Sequence, residues 1–496
     1  SPEIIQKDRE FKDTVIIGSG FGGAISANRL TKAGIPVTII EKGRRWDGPV
    51  EGKRFSPNLP ANSKSTWLSN WTVIPLGPAL PVKKSTGVLE GRTMAGKKIV
   101  SGAAWGGGSI TYGGVLKKPE KSVFEQVFPK DIDYDDLQPY YDTVAEKLNR
   151  GKLPNDLEQE DYWKHVRVMK KHCDEAGVKW EDMSTGTDWS IVRDEVDGKI
   201  EPSIIHGEAV YGVNSGAKST LDQSYLKEAE ETGLLDIKTL HQVNDISALE
   251  GGGFRISFEE LNASGNTIAV GEIDCHKLIL SAGTMGTNSL LVKAKAKGTL
   301  KQLNEEIGKG WGNNGNVYGL RLGLESTGQW HGGPPSVGIA DYENPLGPLF
   351  IEHPQLPLGF DIHGLLYFGI GINPTRGEFY YDEGSDKVKL RYPKKDKGQE
   401  TINQALINTL QKLNDANGGF TSPAINFSLF TGKKVKDDAV YHPLGGCVMG
   451  KACDFYGRVK GYEGLYVNDG SFMPGSSACT NPSFTISALA ERNIEN

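Results

Sequence analysis

The stretch that most limits what this chain can become lies between residues 14 and 41. Residues 14–18 read TVIIG, an apolar β-branched run that stops at a glycine. The following SGFGGAISANRLTKAG repeats Ala24, Ala27 and Leu30 near helical spacing and closes at Gly34, and IPVTIIE then returns to strand character and ends at Glu41. This is a β-α-β unit in which Gly18, Gly20 and Gly23 fill the pattern GxGxxG. The first glycine permits a tight turn, the second admits a pyrophosphate and the third lets helix and strand approach. Backbone N–H groups at the helix start, around Phe21 and Gly22, meet phosphates, and Glu41 is placed to accept from both hydroxyls of an adenosine ribose. The motif does not itself separate FAD from NAD. Its place at the front of a long chain leans toward a flavoprotein with the substrate domain inserted later.

At 496 residues the chain exceeds what one core supports, so at least two interlocked domains are expected. Glycine supplies 63 residues without a three-residue period, which excludes collagen; the glycines cluster, as backbone laid against a ligand does. With 56 basic and 62 acidic residues, a formal charge of −6 and no basic stripe, nucleic acid is excluded as an expected partner. Five scattered cysteines do not make a disulfide framework. No apolar run reaches the roughly 18 residues of a bilayer span. The first ten residues are not a signal peptide, so the expected location is secreted if a leader was removed and cytoplasmic otherwise.

Residues 91–114, GRTMAGKKIVSGAAWGGGSITYGG, carry Gly106, Gly107 and Gly108 in a row between Trp105 and Tyr112. Such a run is either a floppy surface loop or backbone against a large flat ligand such as an isoalloxazine. Residues 120–200 are polar and helical, with Tyr140, Tyr141, Val144 and Leu148 on one face. His165 and His172 share a helical face with nothing to complete a metal site, so no metal is expected. Five strands are expected between 234 and 282 (LLDIKTL, HQVNDISAL, GFRISFEE, NTIAVGEI, HKLILSAG), with a hairpin turn at 262–266. A second strand–glycine–helix crossover at 278–295 belongs in the sheet of the first. Between 320 and 435 an antiparallel sheet is expected to include HGLLYFGIG and FYYDEGSDKVKLRY and to be covered by the helix from Ile402. The tract Phe360–Ile372 reads as a core strand or as pocket lining.

Near the end, YHPLGGCVMG sets His442 before a proline and a glycine pair, and a strand at Leu465–Val467 leads to the turn Asn468-Asp469-Gly470. Pro482 is expected at the first position of a helix over Phe484–Asn493. If a flavin is bound, His442 is the candidate acid/base, since neutral imidazole accepts a proton near neutral pH, and Asn481 can hold a substrate oxygen. The alternatives are a structural histidine bonded to backbone and a plain helix N-cap at Asn481.

The motifs VIIGSGFGGAISANRL, GGGSITYGG, LHQV, SAGTMGTNSLL, GKGWGNNGN, NPTRGEF, YHPLGGCVMGKA and LAERN run nearly end to end. On them the chain resembles the glucose-methanol-choline (GMC) oxidoreductases, and within these the non-covalent FAD-dependent cholesterol oxidases. The resemblance implies an α/β fold with a Rossmann-like FAD-binding domain from residues 1–45, 90–120, 215–320 and 436–496. An α+β substrate domain from 46–89, 121–214 and 321–435 carries a mixed or antiparallel sheet of about six strands and covering helices. It implies a catalytic His442–Asn481 pair, and a Glu352 that moves a proton in steroid double-bond isomerisation; by itself Glu352 reads as exposed or paired. Gly107, Gly108, Tyr112 and Gly113 fall on the flavin, Val243 beside the adenine, and Asp469, Gly470, Asn481, Pro482 and Phe484 complete the cofactor set. The implied reaction oxidises a 3β-hydroxysteroid to the ketone, moves its 5,6 double bond to 4,5 and passes electrons to O2, giving H2O2. The implied partners are an apolar alcohol or sterol and O2, met by a monomer in transient contact with a membrane surface. The competing readings are a GMC dehydrogenase or oxidase of another bulky or primary alcohol using a non-oxygen acceptor, and a non-catalytic flavin- or lipid-binding protein. Tyr112 and Val115 stand where the cholesterol oxidase pattern has asparagine and methionine, and Ser483 displaces the aromatic that follows the Asn-Pro pair.

Overall fold

The computed structural model describes residues 2–47, 53–74, 79–422 and 438–496; the domain boundary expected at 435/436 lies outside the described residues. The β-branched run forms the strand Glu10–Ile17, its last four residues buried, as a central parallel strand covered on both faces requires. The helix Phe21–Lys32 follows, and the strand Val37–Ile40 returns parallel to the first, with Val15 opposite Thr38 and Ile17 opposite Ile40. On the other side Leu278, Ile279 and Leu280 pair in parallel with Val15, Ile16 and Ile17, and Leu465–Val467 pairs with the same Leu278–Leu280. The second crossover, through the helix Gly283–Lys297, therefore joins the sheet of the first, as expected.

One expectation in this sheet is corrected. NTIAVGEI and HKLILSAG are a single strand of 14 residues, Thr267–Leu280. Its first half pairs antiparallel with Phe254–Leu261 through the turn at 262–266, and its second half pairs with the Rossmann strands. The polar residues between the two apolar runs are a local exposure, not a break.

A second sheet has the order Phe420–Thr421, Asn316–Leu322, Leu365–Gly371, Leu349–Glu352, Val337–Asp341, Trp180–Asp182, every neighbour antiparallel. This is the expected sheet of about six strands. The helices Lys164–Ala176 and Lys397–Asn417 cover one face, where Val317, Ile351, Leu365 and Tyr367 are buried with Leu406 and Leu410. Because side chains alternate across a strand, Tyr318, Glu352, Leu366 and Phe368 fall on the opposite face, which lines the central cavity. HGLLYFGIG is thus core strand and pocket wall at once.

FYYDEGSDKVKLRY does not join this sheet. Gly377–Asp382 and Lys387–Arg391 form a hairpin in a separate four-stranded sheet with Lys309–Gly312 and Leu444–Gly446, and it packs on the helix Gly283–Lys297. Its partner edge lies far away in sequence, which local alternation cannot reveal. Among the described residues no helix is long and apolar enough to cross a membrane, and the five cysteines are buried and free.

Candidate active site

A cavity of about 1310 Å³ runs between the two sheets. That exceeds the roughly 300–1,000 Å³ of a site for one drug-sized ligand, so it has room for a large cofactor and a substrate together. Its lining includes Gly18, Gly20, Phe21, Gly22 and Glu41 as well as Glu352, His442 and Asn481.

The glycine loop is built of close approaches. Gly18 has φ +100°, and a Cβ there would sit 2.0 Å from the Ser281 carbonyl oxygen. A Cβ on Gly22 would sit 1.6 Å from the Asn468 oxygen, and one on Gly23 2.1 Å from the Gly18 oxygen. A Cβ on Gly20 would meet nothing within 4 Å, so this backbone faces open space. The helix beginning at Phe21 has no side-chain cap and no acid in its first turn, which leaves its N–H groups for an anion. Gly107, at φ +55°, lies so close to Gly20 that a Cβ would come within 2.4 Å of the Gly20 Cα, whereas one on Gly108 would meet nothing. The triple-glycine stretch is therefore a buried 3₁₀ turn laid on the fingerprint loop, not a floppy surface segment. Tyr112 and Gly113 continue this wall, and Val243, beside a β-bulge, lines the Glu41 end with Asn244, Ser289 and Lys293.

Glu41 is more engaged than its sequence position implied. Its Oε2 accepts from the Ser19 N–H (3.1 Å) and hydroxyl (2.7 Å), and its Oε1 from the Gly43 N–H (2.8 Å). Burial raises its pKa and these donors oppose the shift. With three donors in place one lone pair of Oε1 is left, enough for one ribose hydroxyl rather than two. Asp469 is likewise spent on Thr287 and Ser471, though it and Gly470 line the cavity.

Two expected cofactor residues, Gly23 and Phe484, do not line the cavity. Gly23 serves the approach of helix to strand. Phe484 is buried against Tyr141, ring centroids 4.8 Å apart, under the Arg150 guanidinium. Ser483 takes the place after Pro482 and donates to the Val115 carbonyl at 3.1 Å, and one further residue turns the aromatic about 100° around the helix. The closing helix runs Ser483–Glu495 with Pro482 at its cap, one position earlier than expected, and has neither a side-chain cap nor an acid in its first turn.

Asn481 is not an N-cap. Its Nδ2 donates to Glu352 Oε1 at 3.1 Å, while Asn481 Oδ1 and Glu352 Oε2 are buried without protein partners. Glu352 is 4% exposed and pairs with Asn481 rather than His353; burial pushes its pKa up to about 7. The loop before Asn481 is held in an unusual shape, with Ala478 and Cys479 both left-handed (φ +62° and +63°). Asn314 holds it there: its Oδ1 accepts from Ser477 N–H (2.8 Å) and its Nδ2 donates to the Thr480 carbonyl (3.0 Å).

The same Asn314 amide lies 3.5 Å from His442 Nδ1, and Asn316 Nδ2 donates to that nitrogen at 3.0 Å. His442 Nδ1 is therefore held by side-chain amides and not by backbone, and one asparagine ties the ring to the Asn481 loop. Burial lowers its pKa to about 3, so the ring is neutral at working pH. A neutral imidazole that accepts at Nδ1 carries its proton on Nε2. His442 thus presents an N–H donor to the cavity. Asn314 and Asn316 were missed by sequence reasoning; the signal available was the NNGN run, in which Asn314 is left-handed at φ +58°. Replacing Asn316 with Asp is expected to draw the proton to Nδ1 and lower kcat at least ~10-fold. Nitrogen NMR of labelled histidine checks this, and an unchanged tautomer would refute it.

His165 and His172, expected to be structural, sit in the helical layer: His165 stacks edge-on to His353, and His172 bridges Glu325 (2.9 Å) and Arg321 (3.1 Å). Among the described residues no cluster of potential ligands could hold a metal ion.

Residues 14–310 match the profile of the family described as GMC oxidoreductase, residues 375–490 match a second profile of that description, and residues 314–425 match that of its C-terminal part. The chain belongs to the GMC oxidoreductases, enzymes that act on alcohols and typically bind FAD. It is 25% identical to a cholesterol oxidase of Acinetobacter baumannii, over 97% of this chain and 93% of that one. It is 23% identical to a long-chain-alcohol oxidase of Arabidopsis thaliana, over 96% of this chain and 66% of that one. Among solved structures it resembles pyridoxine 4-oxidase from Mesorbium loti, with a TM-score of 0.64 at 15% identity over 97% of this chain and 98% of that one.

Proposed function

We propose that the protein is an FAD-dependent oxidase of a bulky apolar alcohol, a sterol 3β-hydroxyl being the substrate that fits best, with non-covalent FAD and O2 as acceptor. The observation that carries this reading is that the open Gly20 backbone and the group His442, Asn481 and Glu352 line one and the same cavity. The uncapped helix at Phe21 and the open Gly20 and Gly108 suit a dinucleotide, with Glu41 and Val243 at its adenosine and the Gly107–Gly113 wall and the closing helix at its ring. FAD, when bound, supplies the hydride acceptor. Tyr318, Leu356, Leu366, Phe368 and Tyr441 give the reacting end an apolar wall suited to a large hydrocarbon body.

His442 Nε2–H donates to the alcohol oxygen, and Asn481 Oδ1 accepts from its hydroxyl, which orients the carbinol C–H. The titrating group beside Asn481 is Glu352, ionised in part near neutral pH. In a Δ5-ketone the same carboxylate takes a proton from one carbon and returns it to another. Oxidation can lose its proton to water, but isomerisation needs that return. Glu352→Gln is therefore expected to slow isomerisation at least ~100-fold and oxidation less, so that the unconjugated ketone accumulates. Conjugated ketone formed at the wild-type rate would contradict the role.

A second reading, oxidation of another bulky or primary alcohol with or without O2 as acceptor, is favoured by Tyr112, Val115 and Ser483, which line the cavity and depart from the cholesterol oxidase pattern. A panel of sterols, long-chain and aryl alcohols, read by flavin bleaching under nitrogen and then by reoxidation in air, separates the two. A protein that binds flavin or lipid without catalysis would leave every member of the panel unoxidised.

A further inference from the structure

Lys218 is a buried cation that the chemistry described so far does not use. It is 5% exposed, and among the described residues no carboxylate lies within ion-pair distance of it. Its Nζ donates to three backbone carbonyls, those of Ile110 (2.7 Å), Tyr112 (2.8 Å) and Ala209 (2.9 Å). Ile110 and Tyr112 belong to the glycine-rich wall over the fingerprint loop, and Ala209 to the segment that lines the cavity with Val210 and Tyr211. The Tyr112 ring lies under the ammonium at 5.5 Å, and the Tyr112 hydroxyl donates to the Ser219 carbonyl at 2.7 Å. Lys218 is thus the point where two cavity walls are joined.

Three carbonyl acceptors suit an ammonium, which has three N–H donors. A neutral amine has two, and its lone pair would face the third carbonyl. Burial lowers the Lys218 pKa to about 7, and Asp222 is the charged neighbour that opposes the shift; Tyr112, whose phenol burial raises, stays neutral. We propose that Lys218 is a positioning residue for the cofactor, its ammonium stapling the Ile110–Tyr112 wall to Ala209, so that the wall takes its FAD-binding shape while Lys218 is charged. This rests on the reading that the cavity takes FAD.

The test is the FAD dissociation constant, followed by flavin fluorescence from pH 6.5 to 9.0 in wild type, Lys218→Met and Lys218→Arg. Wild type is expected to lose roughly 10-fold in affinity over this range as the proton leaves. Lys218→Met should bind at least ~10-fold more weakly at pH 6.5 and show no such limb. Lys218→Arg, charged throughout, should also lose the limb. Wild-type affinity in Lys218→Met, or the wild-type limb persisting in either variant, overturns the proposal; if Lys218→Met does not fold, Lys218→Arg still decides it. A wild-type protein that takes up no FAD at any pH overturns the cofactor reading and this inference with it, whereas FAD binding unaffected by Lys218 overturns this inference alone.

Discussion

Replacing His442 with alanine is expected to lower kcat for alcohol oxidation about 10³-fold while FAD stays bound with affinity within a few-fold of wild type. The size follows from what the ring provides. Its Nδ1 is held by the amides of Asn314 and Asn316 and its pKa is driven to about 3, so Nε2–H is a fixed neutral donor. A preorganised donor in a water-poor site is worth about 10²–10³ in rate when it faces the oxygen on which charge develops. FAD affinity is expected to be spared because the phosphate and adenosine contacts proposed for Gly20–Gly22 and Glu41 do not involve His442. Anaerobic rapid mixing of FAD-loaded protein with alcohol reads the reductive step alone; reduction at the wild-type rate in His442→Ala would refute the assignment.

The second large effect concerns stability. The Glu352 carboxyl has an ordinary pKa of 4.5 and one of about 7 in the folded chain, raised by burial, with the Asn481 amide and Lys117 opposing. The folded state therefore binds this proton more tightly than the unfolded chain does. The stabilisation is fully present below pH 4.5 and is lost as pH rises through 7, amounting to on the order of 3 kcal/mol once the buried group is ionised. Glu352→Gln keeps the neutral shape and removes the titration. Above pH 8 the apoprotein variant is expected to be more stable than wild type by up to that amount, and below pH 5 the two should converge. Tm against pH for both proteins checks the sign, and a constant difference across the range would show that Glu352 is not the buried titrating group.

Where the backbone left no choice of residue, the sequence was readable. Gly18, at φ +100° with Ser281 against it, can be nothing but glycine, and the β-α-β unit around it reads directly from residues 14–41. The pairing of Leu278–Leu280 with Val15–Ile17 was legible because both runs are continuously apolar, as buried parallel strands are. Non-local information was not legible. The hairpin at 377–391 alternates like any half-buried strand pair, and only the bond between its edge and Lys309–Trp311 shows which sheet it enters. Phe484 was misplaced because a single inserted residue rotates a side chain from cavity to core. The chemistry of His442 depended on amides more than a hundred residues away, so its proton could be placed on Nε2 only once the fold had brought them together.

The most direct measurement is a crystal structure of the FAD-loaded protein. The expected map shows the pyrophosphate on the N–H groups at Gly20–Gly22 and the isoalloxazine flanked by His442 and Asn481. Density for the ring system elsewhere, or a cofactor that leaves His442 and Asn481 out of reach of its reactive face, would contradict the mechanism.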